Sequence, residues 1–399
     1  MGSRICSAGE LIGYSIGGGW GKEEPQGDYQ YQVAIIRGAD FPAIEQGKFT
    51  ELPVRWEKKI KATKAVLQPG DIVLEISGGT DDRPTGRTLY ITDELLDSYS
   101  CPVIPASFCR LLRPVDTIDS AYLFFWLQNM YAKGRTWGYQ NRSTGLSNFQ
   151  YKVFAELEQV TVPDEEMQHG IASLLLMFDN KRHLNNRTND YLAEMCETIA
   201  AAVESDGESV LADIAVQITE KAGCSESSLD SYVSTESLLP DKGGRQQASS
   251  LPTTGKVTVY QAGDTLVSNI RPYFKKIWLA DRGGTCSGDV IVFRAKDPRY
   301  AAFLYSVLRS DSFFEHVMAG AKGTKMPRGD KKQMMQYPAA SECSQGTLDV
   351  LTAMVGQIGA NNRENETLSS LREALLPKLM SGEIDVSQVE LPTQPNNHL

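Results

Sequence analysis

The sequence predicts an α+β protein: two similar α/β domains separated by two long helices that form a coiled coil, a pseudo-two-fold internal repeat. Three observations predict it. First, Ile171, Phe178, Asn185, Leu192 and Ile199 recur every seven residues, as do Leu351, Ile358, Asn365, Arg372 and Leu379. Each set is supported three or four residues on, by Leu174, Leu175, Met195 and Val203 in one and by Met354, Val355, Leu368 and Leu375 in the other. Such spacing marks a heptad seam. Second, the seams are offset by 180 residues, and each has an Asn at its third position. A polar residue there costs stability but fixes register, so Asn185 and Asn365 are the expected pin. Third, the segments ahead of the two helices share one order of turns, strands and helix.

Residues 1–162 read as the first domain. Gly17-Gly18-Gly19-Trp20-Gly21-Lys22 is a glycine-rich turn, and an apolar strand at 31–36 ends in Arg37-Gly38-Ala39-Asp40. A basic stretch follows, with Arg55, Lys58, Lys59, Lys61 and Lys64 around Trp56. Leu67-Gln68-Pro69-Gly70-Asp71 turns into a strand at 72–76, residues 101–112 are further strand, and 121–131 is an aromatic-rich apolar helix. A polar loop at 134–148 holds Arg135, Tyr139, Gln140, Asn141, Arg142, Ser143, Gly145 and Ser147. The first long helix, 163–207, begins after Pro163. Asp164, Glu165 and Glu166 suit its positive end, and Gly207 is a plausible cap. At about 1.5 Å per residue it spans roughly 60 Å, more than a globular domain needs, which marks a spacer.

Residues 208–343 repeat the plan. Tyr260-Gln261-Ala262-Gly263-Asp264 answers the turn at 67–71, a strand at 265–269 answers 72–76, and 286–293 answers 101–112. An apolar helix at 300–317 and a polar loop at 320–332 answer the helix and loop of the first domain. The second long helix is 344–382, which Pro377 is expected to kink or end. A polar tail at 383–399 is expected to be disordered.

The chain has 399 residues, room for two or three domains. No apolar run reaches membrane-span length, and the N-terminus lacks a basic region followed by an apolar core, so no signal peptide is expected. The seven Cys are scattered without a C-x-x-C and read as reduced thiols; the four His have no metal-ligand spacing. A net charge of -10 speaks only weakly against nucleic acid, because a basic footprint is local.

No catalytic set stands out, and no cofactor or metal site is expected in this chain. The glycine run is neither G-x-G-x-x-G nor a P-loop. Asn269-Ile270-Arg271-Pro272-Tyr273-Phe274 differs from the Asn-Pro-Pro-Tyr/Phe motif of amino-methyltransferases by an extra residue and a missing proline. What remains is basic and polar loop chemistry. Lys322, Lys325, Arg328, Lys331 and Lys332 stand against one acid, Asp330, and the loop at 134–148 is their counterpart. Cations neutralise phosphates, while Arg, Asn and Gln can pair with base edges. The DNA-contact candidates are therefore Trp20, Lys22, Arg135, Tyr139, Arg142, Ser143 and Ser147 in the first domain. In the second they are Arg271, Tyr273, Lys275, Lys322, Lys325 and Arg328, with Lys276 beside them.

In order along the chain, these stretches resemble the specificity (S) subunit of type I restriction-modification systems. The resemblance rests on Gly17 to Glu23, Gln68-Pro69-Gly70-Asp71-Ile72, Tyr232-Val233-Ser234-Thr235-Glu236-Ser237-Leu238, Gly263 to Pro272, and Leu371 to Glu383. It covers nearly all of the sequence. It implies two target-recognition domains, each reading half of a split DNA sequence, held apart by the two long helices paired antiparallel. It also implies two methyltransferase subunits docked on the helices. These would bind S-adenosylmethionine, and restriction subunits would add ATP- and Mg-dependent translocation and cleavage, in the cytoplasm of a prokaryote. Two other classes stand beside it: a protein-binding scaffold without a DNA role, and a self-contained methyltransferase.

Overall fold

The computed structural model describes residues 3–49, 51–143, 146–323 and 325–386; for residues 142, 143 and 146 it describes the backbone alone. Most of the polar tail thus lies outside the described residues. The chain divides into two compact units, Met1–Arg187 with Arg363–Leu399, and Thr188–Asn362.

In the first unit, strands Ile12–Gly17, Cys109–Pro114, Ile72–Glu75 and Thr88–Tyr90 form a four-stranded antiparallel sheet in that order. A second sheet orders Val54–Lys58, Tyr29–Ile36 and Val103–Pro105, the last pairing parallel. Helix Ser120–Ala132 starts where the Asp119 carboxylate accepts the N–H groups of Ala121 and Tyr122 at 2.9 and 3.0 Å. Its residues from Ala121 to Leu127 are all buried, as expected of a helix apolar on every side.

The second unit repeats the first sheet. Strands Ala215–Ile218, Val290–Ala295, Thr265–Ser268 and Ile277–Leu279 lie in the corresponding order, again antiparallel. The shared Gly-Asp turn has a shared physical role. Gly70 and Gly263 have φ of 86° and 88°, the left-handed backbone that glycine accepts without cost. The next residue sends its carboxylate into the protein. Asp71, 1% exposed, takes both Nε and Nη2 of Arg113 at 2.7 Å and the Gln68 N–H at 2.7 Å. Asp264, fully buried, takes Nε and Nη2 of Arg294 at 2.7 Å and the Gln261 N–H at 2.8 Å. Each clamp locks the turn to the neighbouring strand of its sheet.

Several expected elements differ in detail. Residues 101–112 hold two strands rather than one, because the chain turns at Ala106, whose carbonyl accepts the Cys109 N–H. The loop at 134–148 is a 3-10 turn, Arg135–Tyr139, leading into a hairpin of Gln140–Ser143 with Leu146–Phe149. The helix at 300–317 breaks at Ser310, which leaves helical backbone and caps Asp311–Ala319 by accepting the Phe313 N–H.

The first long helix, Glu165–Ala201, stops before Gly207, which sits in a later turn. The second, Gln345–Ser381, continues through Pro377 instead of ending there. Leu376 and Leu379 on either side of the proline are buried in the first unit's core and hold that last turn in place.

Neither long helix is a free-standing rod. Ile171, Leu175, Leu376 and Leu379 belong to the core of the first unit, with Leu174, Phe178 and Leu375 packed against it. Cys196, Ala200, Leu351 and Val355 belong to that of the second, with Ile199, Val203 and Met354 against it. Leu192, Ile358 and Leu368 are half-buried. Met195 is 49% exposed; the seam steps by four from Leu192 to Cys196, so Met195 is not part of it.

The pairing is antiparallel within each unit. In the first, Asn185 Nδ2 donates to Asn365 Oδ1 at 3.0 Å and to Glu364 at 2.7 Å, and Asn365 donates to Asn186 at 2.8 Å. Arg372 occupies an apolar heptad position and meets Asp179 at 3.1 Å with its guanidinium over Phe125. In the second unit Asn361 donates to Asn189 and Asn189 to Asn362, at 2.8 and 2.9 Å. The Asn185 amide, then the Lys181 ammonium, hold the Glu364 carboxyl below its ordinary range.

Candidate nucleic-acid interface

In the first unit the exposed cations gather around aromatic rings on the Val54–Lys58 and Tyr29–Ile36 ribbon. Register sets Lys58 opposite Tyr29, and a bridge joins Lys22 to Trp56. Lys58 Nζ then lies 5.2 Å and Lys22 Nζ 5.8 Å from the Tyr29 ring centre, and the Arg55 guanidinium lies 5.2 Å from that of Trp20. Trp20 is 42% exposed. Helix Lys59–Ala65 adds the exposed Lys59, Lys61 and Lys64. A cation held over a ring keeps both a charge for phosphate and a flat apolar face for a sugar or base. The glycine run brings Trp20 there: Gly18 and Gly19 donate to the Cys109 and Pro105 carbonyls at 2.9 Å, an approach that leaves no room for a side chain at Gly18.

The polar segment at 134–148 faces elsewhere. The Arg135 guanidinium pairs with Glu158, which is 4% exposed, and the Tyr139 hydroxyl donates to the same carboxylate at 2.6 Å. Tyr139 packs edge-on against Phe154, and burial together with Glu158 pushes its hydroxyl up to about 12. Ser147 is buried on its strand. Ser147 is therefore interior and Tyr139 half-buried, while Arg135 reaches Glu158 from the surface with its side chain 47% exposed. Glu158 is a buried carboxylate that must be paired. Arg142 and Ser143 lie on strand Gln140–Ser143, their side chains outside the described residues.

In the second unit, two basic segments that are far apart in sequence become one surface. Ile270 bridges Arg328, Lys322 bridges Arg328, and the Arg271 N–H donates to the Pro327 carbonyl at 2.8 Å. Lys322 and Arg328 are exposed, with Asp330 and Asp289 as partners at 3.5 and 3.1 Å. Lys325 is exposed and has no acidic partner among the described residues. Tyr273 is 47% exposed beside them. Lys275 is held by Asp311 at 3.0 Å and Lys276 by the Thr235 carbonyl at 2.6 Å, so neither is the open cation that the sequence suggests. The sequence alone does not mark Tyr29. Its signal lies in strand pairing, which sets it opposite Lys58.

Among the described residues no group of His, Cys, Asp and Glu could hold a metal ion, and no helix is long and apolar enough to cross a membrane.

No curated protein sequence matches the chain. The family profile for the type I restriction modification DNA specificity domain matches residues 30–194. Among solved structures, the S subunit of a type I restriction-modification system from M. genitalium superposes with a TM-score of 0.51 at 14% identity, covering 95% of this chain and 96% of that one. The HsdS subunit from Thermoanaerobacter tengcongensis covers 96% and 97% at 14% identity, with a TM-score of 0.34. The first of these shares the fold of two α/β domains joined by long helices. None of these matches supports a scaffold without a DNA role. The match to the specificity domain thus spans residues 30–194, and the second unit repeats the first unit's sheet order and its Asp–Arg clamp.

Proposed function

We propose that each α/β domain reads one half of a bipartite, gapped DNA target, and that the paired helices set the gap and dock two methyltransferase subunits. The observation that carries this is the duplication: one sheet, one clamp and one exposed cationic and aromatic surface in each unit. The first surface is built on Trp20, Lys22, Tyr29, Arg55 and Lys58, the second on Arg271, Tyr273, Lys322, Lys325 and Arg328. The chain itself binds and positions. Methyl transfer from S-adenosylmethionine belongs to the methyltransferase subunits. ATP- and Mg-dependent cleavage belongs to restriction subunits where these join, in the prokaryotic cytoplasm.

Removing one heptad from each long helix tests this. Seven residues are about 10 Å of helix, or about three base pairs at 3.4 Å each. The accepted gap is expected to shorten by about that number while both half-sites stay the same. Sequencing the methylated motif in a host carrying the variant reads gap and half-sites together, and a constant gap refutes the ruler. For the surface itself, Lys325→Ala is expected to weaken binding about equally across target sequences and to lower the salt slope of log K by about one. An unchanged slope removes Lys325 from the footprint.

A further inference from the structure

Among the described residues four that are not glycine have left-handed backbone: Asp241, Lys242, Arg271 and Lys275, with φ between 49° and 60°. All four meet in one place. The Asp241 N–H donates to the Phe274 carbonyl at 2.8 Å and the Lys242 N–H to the Lys275 carbonyl at 3.0 Å, so two strained turns brace each other. Their side chains are tied down as well. Lys242 and Lys275 share Asp311 at 2.9 and 3.0 Å, and Lys242 reaches Glu197 on the long helix at 3.0 Å. Backbone of this kind persists only where its surroundings over-determine it, and it concentrates at functional sites.

What the braced turn presents is aromatic. Tyr273 and Phe274 are 47% and 38% exposed with ring centres 4.7 Å apart, and Met326 on the adjoining basic loop is 47% exposed. Lys325 and Arg328 flank this apolar tip. An apolar tip edged by cations suits a polyanion with an apolar interior, which is the chemistry of a DNA duplex. Forcing stacked bases apart needs a support that does not yield, and the double turn with its ion pairs supplies one.

We propose that the Tyr273–Phe274 turn is a wedge that enters between two adjacent base pairs of one half-site and unstacks them. The inference rests on the DNA-reading function above. It adds selectivity for a deformable step such as pyrimidine–purine, at a position that no hydrogen bond reads. The equivalent turn of the first unit, residues 78–82, has no aromatic residue, so this wedge acts on one half-site alone.

The test uses the full chain with its methyltransferase partner. The complex first selects its motif from a random duplex pool, and that motif is then synthesised with 2-aminopurine at successive positions. Apart from the rise at any base that the methyltransferase flips out, which the double variant below leaves in place, fluorescence is expected to rise at one further step of one half-site. Tyr273→Ala combined with Phe274→Ala is expected to abolish the rise and to weaken binding at least about fivefold, with the salt slope and melting temperature unchanged. Phe274→Leu, still apolar, is expected to keep part of the rise. The wedge is overturned if the wild type binds its motif with no rise beyond the flipped bases, or if the double variant matches it. If the wild type selects no motif at all, the DNA-reading function falls and the wedge with it.

Discussion

Arg294→Met is expected to destabilise the second unit by about 3–5 kcal/mol, the range for stripping a buried charge of its partner. The Asp264 carboxylate is fully buried and has two guanidinium donors and one backbone N–H. Without Arg294 only the Gln261 N–H remains among the described residues, and a carboxylate in the protein interior then has one hydrogen bond and no counter-charge there. Asp264→Asn is expected to cost less, because Arg294 is 28% exposed and its released charge can reach water. Urea unfolding of the full chain, compared at equal slope, gives both values. Equal effects of the two substitutions would mean that burial of the carboxylate is not what makes the clamp matter. Arg113→Met is the matching experiment in the first unit, where Asp71 is 1% exposed.

Gly18→Ala is expected to cost about 3 kcal/mol or more, at the upper end of overpacking. A Cβ there would lie 2.1 Å from the Pro105 carbonyl oxygen and 2.2 Å from that of Ala106. Both are backbone atoms that cannot swing aside, and the hydrogen bonds from Gly18 to Cys109 and from Gly19 to Pro105 would be pushed apart with them. Gly17→Ala is the control, since a Cβ at that position meets nothing within 4 Å. A melting temperature that falls for Gly18→Ala and holds for Gly17→Ala separates close approach from a general loss of glycine flexibility. If the two variants melt together, the contact is not the cause. Because the run also places Trp20, Gly18→Ala should weaken DNA binding too.

The long helices were legible because a heptad seam is a local pattern, and because Asn at a repeated position stands out against aliphatic neighbours. The amides at 186, 189, 361 and 362 were not legible, since only the antiparallel register shows which polar residues face one another. The Gly-Asp turns were readable as turns. Their clamps were not, because Arg113 and Arg294 come from a later strand and nothing in the sequence says which arginine will reach which aspartate. The partner of Arg135 and Tyr139 was hidden for the same reason: nothing in a polar loop shows that Glu158 lies beneath it. At Lys275, Asp311 has a comparable effect, drawing an apparent surface cation into an ion pair. Charge was readable from the sequence, but the partner of each charge was not.

The contact between Asn185 and Asn365 has one more consequence. These two amides are repeat-equivalents, and in an antiparallel pair only one alignment lets such a couple meet. Sliding the helices by one heptad would set Asn185 against Ile358 and Asn365 against Phe178. Sliding them the other way would set them against Arg372 and Leu192. The first slip strands both amides among apolar side chains and the second strands Asn365 beside Leu192, although Arg372 could donate to Asn185; each unsatisfied group costs about 1–3 kcal/mol. The alignment therefore behaves as a detent: it holds at one register and does not creep between neighbouring ones.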